Sequence, residues 1–456
     1  MKMKNIKTLC RVLPLISLLF SGCDKYLDIS PKGKTLLTTV TDYDQWLNDD
    51  EKLYYGIQYW NFLGDNIDLA DITIPAIQPQ DLIYLWSNQY SVKLEEEPIF
   101  WGNHYAKINL FNTVLIGIDK ATGGTNLQKR NIKAEALLGR SLEYFYLMNE
   151  YCQPYDSKTS SQVPGIPYVT SNDVNQEVPL RGTLEELYQQ LIRDLKMAIA
   201  DLPKNNSLNR FRGSIAAGYS VLSRLHFYAR NYDEARKNAE LALENSNATL
   251  INFNGPFPNS NFLYIHPDVI YARQLLTATY PTLDFLRSFA SNDKRVRALY
   301  YSMDGYQFEK RNSNFFSPGA ITPSLTYTNT GTSVQEMKLI VAECAARNND
   351  LGIALMQLDE IRKNRFSADS YIKFESTDQQ LVLEEILKER IHELPFNGLR
   401  WFDMRRLSME NKMNPVHRYD VAGKVIATLA PGSNTYTLQI PFQVISLNPK
   451  IQQNPI

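Results

Sequence analysis

Apolar residues in this chain recur at three- and four-residue spacing over long stretches, a rhythm that restricts it to a mainly helical fold. Across 131–151 the stripe is Leu138, Leu142, Phe145 and Met148, and Pro154 ends any helical continuation because its ring removes an amide donor. A second helix opens at Thr183, with Glu186 three residues on, the reciprocal pairing of a capping box. Its stripe is Leu184, Leu187, Leu191 and Leu195, and Pro203 closes it. Segments 214–230 and 232–245 follow with almost nothing between them, which predicts a helix pair.

Laid on the tetratricopeptide repeat pattern, Ala235 takes the small position where two helices cross closely. Tyr219, Leu222, Ser223, Tyr232, Ala239 and Ala242 fall on other pattern positions, and His226 stands where the pattern has a buried Tyr. A second, looser match spans 334–365, with Ala342 and Ala354 as the small residues. Small side chains are needed there because packed helix axes lie about 8–10 Å apart. The two matches are far from tandem. Residues 246–332 between them, and 43–100 before them, are rich in aromatic and turn-forming residues with little periodicity. Long irregular stretches inside a domain tend to be functional when ordered. The expected fold is therefore mainly α, a tetratricopeptide-like helical scaffold over 43–456 as a single domain. It carries irregular, aromatic-rich insertions near 43–100 and 246–332.

The chain begins with Lys2, Lys4, Lys7 and Arg11 and no acid, followed by an apolar run over 12–20 and then Ser21-Gly22-Cys23. This is the layout of a secretory signal, 1–22. The run is far short of the roughly 20 residues that span a bilayer. Cys23, directly after small residues, resembles the lipidated cysteine of bacterial lipoproteins, although Phe20 stands where Leu is usual. Residues 23–42 read as a lipidated N-terminus and tether, held by about 0.8 kcal/mol per buried methylene. Removing 1–22 takes away four positive charges, which moves the net charge from −1 to near −5. That balance gives no footprint for nucleic acid. Cys152 and Cys344 lie too far apart in sequence for a metal knuckle and are expected to be two unrelated buried thiols.

Glu389 and Glu393 share a helix face but sit among Lys388, Arg390, Arg400, Arg405 and Arg406. Positive neighbours favour ionised, ion-paired carboxylates over a raised-pKa acid. Asp65, Asp68 and Asp71 have helical spacing rather than that of a calcium loop. The five histidines form no zinc motif, and no nucleophile elbow or phosphate cradle appears. The expectation is a protein without catalytic residues, metal or cofactor. Trp101 and Trp401 read as core. Trp60 and Trp86 have polar neighbours Asn61, Asp65, Ser87 and Asn88, the combination that stacks on a sugar ring and bonds its hydroxyls. Candidate ligand residues are thus Trp60, Asp65, Trp86 and Asn88, with Tyr280 and Tyr306 from the second insertion.

Ordered blocks along the chain resemble the SusD/RagB family of surface lipoproteins. They are Cys23-Asp24-Lys25-Tyr26-Leu27-Asp28 with Pro31-Lys32-Gly33, Ala134-Glu135-Ala136 through Arg140, Tyr144-Phe145 and Tyr151, and Arg181-Gly182-Thr183 to Leu202-Pro203. The most specific is Glu389-Arg390, Glu393-Leu394, Phe396-Asn397-Gly398, Arg400-Trp401, Asp403 and Arg405-Arg406, followed by Asn448-Pro449 and Asn454-Pro455. Cys152 and Asn397 depart from the usual Gly and Glu. The resemblance implies a ligand face built from the insertions and a place as lid over a SusC-type TonB-dependent transporter. It also implies a lipid-anchored position on the outer membrane, surface-exposed, and capture of oligosaccharide or, alternatively, peptide. A surface adhesin or scaffold, or a glycan hydrolase, are the readings from other classes.

Overall fold

Helices of nine or more residues form the frame: α1 (Trp101–Gly117), α2 (Asn126–Tyr151), α3 (Leu184–Asp201), α4 (Ile215–Tyr228), α5 (Tyr232–Glu244), α6 (Val334–Arg347), α7 (Leu351–Arg362), α8 (Gln379–Glu393) and α9 (Arg400–Ser408). The computed structural model describes residues 37–456 except 58, 92, 259–261, 277–278 and 318–326. The signal segment, Cys23 and the tether up to residue 36 lie outside the described residues. From α1 to α5 each helix packs on the one before it; α5 then packs on α6, which carries α7 and α8. The chain between α5 and α6 therefore leaves the stack and returns to the place it left.

Local chemistry sets these helices. The expected Thr183–Glu186 capping box is present at α3. A second one, Thr125–Gln128, starts α2 five residues ahead of the expected 131. Ser214, Ser333, Asp350 and Asp378 cap α4, α6, α7 and α8 by accepting from amides of the first turn. Arg230 and Asn349, both with left-handed φ, turn the chain between α4 and α5 and between α6 and α7. Ala235, Ala239, Ala242, Ala342 and Ala354 are all fully buried where these helices meet, as the tetratricopeptide pattern requires. Gly139 of α2 lies under the buried Phe111 ring of α1: a Cβ there would stand 2.3 Å from Phe111 Cζ.

The first insertion packs inward from its start. Thr39 and Asp42 form a capping box for the helix Val40–Trp46, and Val40 and Tyr43 join Phe111, Val114 and Ile118 in the core. Residues 37–42 are thus part of the folded body, which corrects the expected tether boundary. The second insertion rises on a stem of two short antiparallel ladders, Val269–Tyr271 with Thr332–Ser333 and Gln274–Leu276 with Tyr327–Asn329. The two insertions are sewn together by backbone bonds: Gly56 N–H to Gln274 O at 2.6 Å, Asp68 N–H to Tyr280 O at 2.8 Å and Thr282 N–H to Asn66 O at 3.0 Å.

Charged side chains fasten this irregular backbone to the frame. His104 of α1 is fully buried between two α2 carboxylates, with Nδ1 2.7 Å from Glu143 and Nε2 3.3 Å from Glu150. The Trp60 ring stacks on it and donates its indole N–H to the same Glu150. Burial alone would lower the His104 pKa, but Glu150 and Glu143 outweigh it and raise it above 6.5. Arg295, from the second insertion, binds Asp293, Glu389 and Glu393, while Arg362 and Arg365 complete the shells of Glu389 and Glu393. Burial raises Glu389, yet Arg295 and Arg362 hold it at about 2. The ion-pair reading of these glutamates stands, with partners distant in sequence in place of the adjacent cations. Cys152 and Cys344 are free and buried.

Two outcomes follow. Gly139→Ala gains about 1 kcal/mol of helix propensity but overpacks Phe111 at a cost of about 1–3 kcal/mol. Urea denaturation should show a net loss of stability, and a gain would mean that the contact yields freely. Because the native His104 pKa is raised, its charge stabilises the fold fully below the unfolded value, and that contribution is lost as pH rises through the native value. The stability gap between wild type and His104→Gln should therefore narrow as pH rises above about 6.5. A gap that widens over the same range would show an imidazole held neutral in the native state.

Candidate functional site

A cleft of about 580 Å³ opens where the two insertions meet α9 and the C-terminal hairpin Val416–Tyr419 with Val425–Leu429. Asp65, Asp68 and Tyr84 line it from the first insertion, Asp284, Arg287 and Arg311 from the second, and Arg400 from α9. Lys412, just before the hairpin, and His417 and Tyr419 in its first strand close it.

Arg418, in the same hairpin, sets the shape of the first insertion. It is 1% exposed and donates to the carbonyls of Tyr84 (2.9 Å), Ile67 (3.3 Å), Phe62 (2.9 Å) and Gly64 (2.8 Å). Its guanidinium lies 4.0 Å from the Tyr84 ring centre and 4.2 Å from that of Trp86. A planar fork that meets several acceptors while stacking on rings is a task for which lysine is no substitute. Burial lowers its pKa to about 10, so it is charged at neutral pH.

Two guanidinium–carboxylate forks form the cleft floor. Arg400 meets Asp65 at 2.6 and 2.5 Å, and Arg311 meets Asp68 at 2.7 and 2.6 Å. Burial raises the Asp65 pKa, but Arg400 and then Arg418 outweigh it and hold it below the usual carboxylate value. An ionised carboxylate locked in a fork cannot act as the proton donor that glycoside hydrolysis requires. It still presents acceptor lone pairs, and the guanidinium edges present donors. Elsewhere on the second insertion, Tyr280 is 37% exposed and Tyr301 53% exposed. Phe315 lies between them, with ring centres 6.3 Å from Tyr280 and 4.9 Å from Tyr301. The second insertion thus exposes an aromatic ledge and the cleft a floor of polar groups, features suited to a ligand with flat apolar faces and many hydroxyls.

The structure sorts the sequence candidates. Trp60 is 3% and Trp86 6% exposed. Trp60 is covered by His104 and Tyr146, while Trp86 lies against Arg418 and donates to Leu63 O at 3.0 Å. Rings with their faces covered cannot stack on a ligand, so the expectation for these two is corrected: they are core. Trp101 and Trp401 are buried as expected. Asp65 lies on the cleft floor, and Tyr280 is exposed on the second insertion outside the cleft lining. Asn88 is exposed beside a separate, small cavity shared with Asn434 and Gln439. Tyr306 has one face on Arg297, 3.9 Å away, and its hydroxyl on Tyr300 O. The sequence reading missed Arg287, Arg311, Lys412, Tyr419 and the Tyr301–Phe315 pair as site residues. The Asp420–Gly423 turn between alternating apolar residues was a legible hairpin signal, but nothing local shows that the hairpin meets the first insertion.

A second groove, of about 720 Å³, runs between the start of α1, the loop 168–179 and the segment 444–451. Val174, Val178, Pro179, Val444 and Ile451 make it the more apolar of the two.

No curated protein matches the chain. Solved structures do, at low identity. A SusD superfamily protein from Bacteroides thetaiotaomicron VPI-5482 is 19% identical with a TM-score of 0.74, over 92% of this chain and 100% of that one. A SusD-like carbohydrate binding protein from Bacteroides vulgatus ATCC 8482 is 20% identical with a TM-score of 0.67, over 91% and 97%. A SusD superfamily protein from Bacteroides fragilis is 18% identical with a TM-score of 0.70, over 92% and 100%. These likenesses establish the fold. The family model described as starch-binding associating with outer membrane matches residues 25–227, and the model of the SusD family matches residues 334–456. Between them the two cover well over half of the sequence, on both sides of the second insertion, and the chain belongs to the SusD/RagB family.

Proposed function

We propose that this protein is a lipid-anchored binding protein of the outer membrane. It captures an oligosaccharide in the cleft between its two insertions and delivers it to a SusC-type TonB-dependent transporter, without chemistry of its own. The observation that carries this reading is a polar cleft floored by fork-bound Asp65 and Asp68, on a body whose second insertion also exposes the aromatic cluster Tyr280, Phe315 and Tyr301. The rings offer stacking faces and the floor offers donors and acceptors. Its carboxylates are tied up as acceptors and are unsuited to proton transfer. The description of the first family model, starch-binding associating with outer membrane, and the carbohydrate binding named for one structural relative support the same ligand class. Cys23 supplies the anchor in this reading, and the insertions would face the transporter. Peptide capture is the second reading, favoured by the apolar groove at 168–179 and 444–451.

Tyr280 is the most direct probe. Titration of the purified mature protein with the oligosaccharide it retains should lose about tenfold in affinity on Tyr280→Ala, equivalent to about 1.4 kcal/mol. The melting temperature should stay within about 2 °C, since exposed substitutions seldom cost more than about 0.5 kcal/mol. Unchanged affinity would remove the ledge from the site. Retention of a peptide, with protection of the 168–179 groove, would favour the second reading.

A further inference from the structure

The charges of the cleft do not cancel. Asp65 and Asp68 are each consumed by a bidentate guanidinium, those of Arg400 and Arg311. Arg311 is further committed to the carbonyls of Asp420 and Tyr419. What remains facing the opening is Arg287 and Lys412, both exposed. Arg287 donates to one backbone carbonyl, that of Phe308. Among the described residues, neither has a carboxylate within salt-bridge distance. Asp284, exposed and three residues before Arg287 on the helix Leu283–Arg287, is the one carboxylate of the lining outside the forks. The opening therefore carries one positive charge in surplus, on a chain whose mature form is net negative. His417, which also lines it, has Nδ1 2.9 Å from Thr428 Oγ1 and leaves Nε2 as a further polar atom.

We infer that the cleft selects oligosaccharides bearing an anionic substituent, received by Arg287 and Lys412 at its mouth. This rests on the oligosaccharide reading above and narrows it to a substrate class. An acidic sugar gains a charge-assisted bond that a neutral one cannot make. The two cations hold no buried structural partner, so their charge is available to a ligand. A carboxylate and a sulfate ester satisfy the same geometry, because a guanidinium and an ammonium recognise both.

The test is calorimetric titration of the purified mature protein with three probes of matched length: an oligogalacturonate, a sulfated galactan oligomer and a neutral malto-oligosaccharide. At least one anionic probe should bind about tenfold or more tighter than the neutral one. Its advantage should fall between about 50 and 500 mM salt as the Debye length shortens. The double variant Arg287→Gln/Lys412→Gln, checked for an unchanged melting temperature, should bring that probe down to the neutral level. The better of the two anionic probes identifies the acid. Equal or tighter binding of the neutral probe, or full affinity in the double variant, overturns the inference and leaves the carbohydrate reading standing. Binding of none of the three overturns both.

Discussion

A buried guanidinium, that of Arg418, holds together the part of the molecule that is not helical. The 3₁₀ turn Trp60–Leu63 and the chain around Ile67 and Tyr84 point carbonyls inward where no ladder can receive them, and an unmet buried carbonyl costs about 1–3 kcal/mol. One side chain from the C-terminal hairpin meets four of them and fills the space between Tyr84 and Trp86. The same device recurs. Arg224 joins Glu336 of α6 to the carbonyls of Thr330 and Gly331 at the neck of the second insertion, and Arg295 ties the middle of that insertion to α8. Arginine suits these places because it is charged at any working pH and presents several donors in one plane. Removal of one such partner would leave buried charges or carbonyls uncompensated, which is why these positions carry more of the fold than their number suggests.

Function follows from where these ties sit. The helical stack packs through small residues, and the first insertion completes its core, with Val40 and Tyr43 against Phe111 and Trp60 against His104. The two insertions, bonded to each other edge to edge and pinned by arginine, then place polar groups at a mouth that the frame alone could not form. The floor carboxylates are each held in a guanidinium fork, so the cleft is rich in hydrogen-bonding atoms.

The helices were readable because their signals are local. Leucine stripes, capping residues and the small residues of Ala235 and Ala342 depend on neighbours within a few turns, and the structure has them where the periodicity put them. The start of α2 was missed because its first turn is polar and carries no stripe. The candidate site was less legible. Trp60 and Trp86 sit among polar residues in sequence, but what covers them is Glu150, His104 and Arg418, far along the chain. Exposure is decided by such partners, and no window of sequence contains them. Glu389 and Glu393 make the same point: their positive surroundings were foreseen, yet the cations that bind them are Arg295, Arg362 and Arg365. Nor did any local feature mark Arg287 and Lys412, which matter through what they lack.

In the proposed reading, ligand binds where the two insertions and the C-terminal hairpin converge. Hydrogen–deuterium exchange of the mature protein, with and without its bound oligosaccharide, tests this most directly. The account predicts slowed exchange in peptides covering 61–69, 280–287 and 411–420, with the 168–179 and 444–451 segments unchanged. Protection confined to 168–179 and 444–451, with the cleft peptides unaffected, would contradict it and place the ligand in the apolar groove.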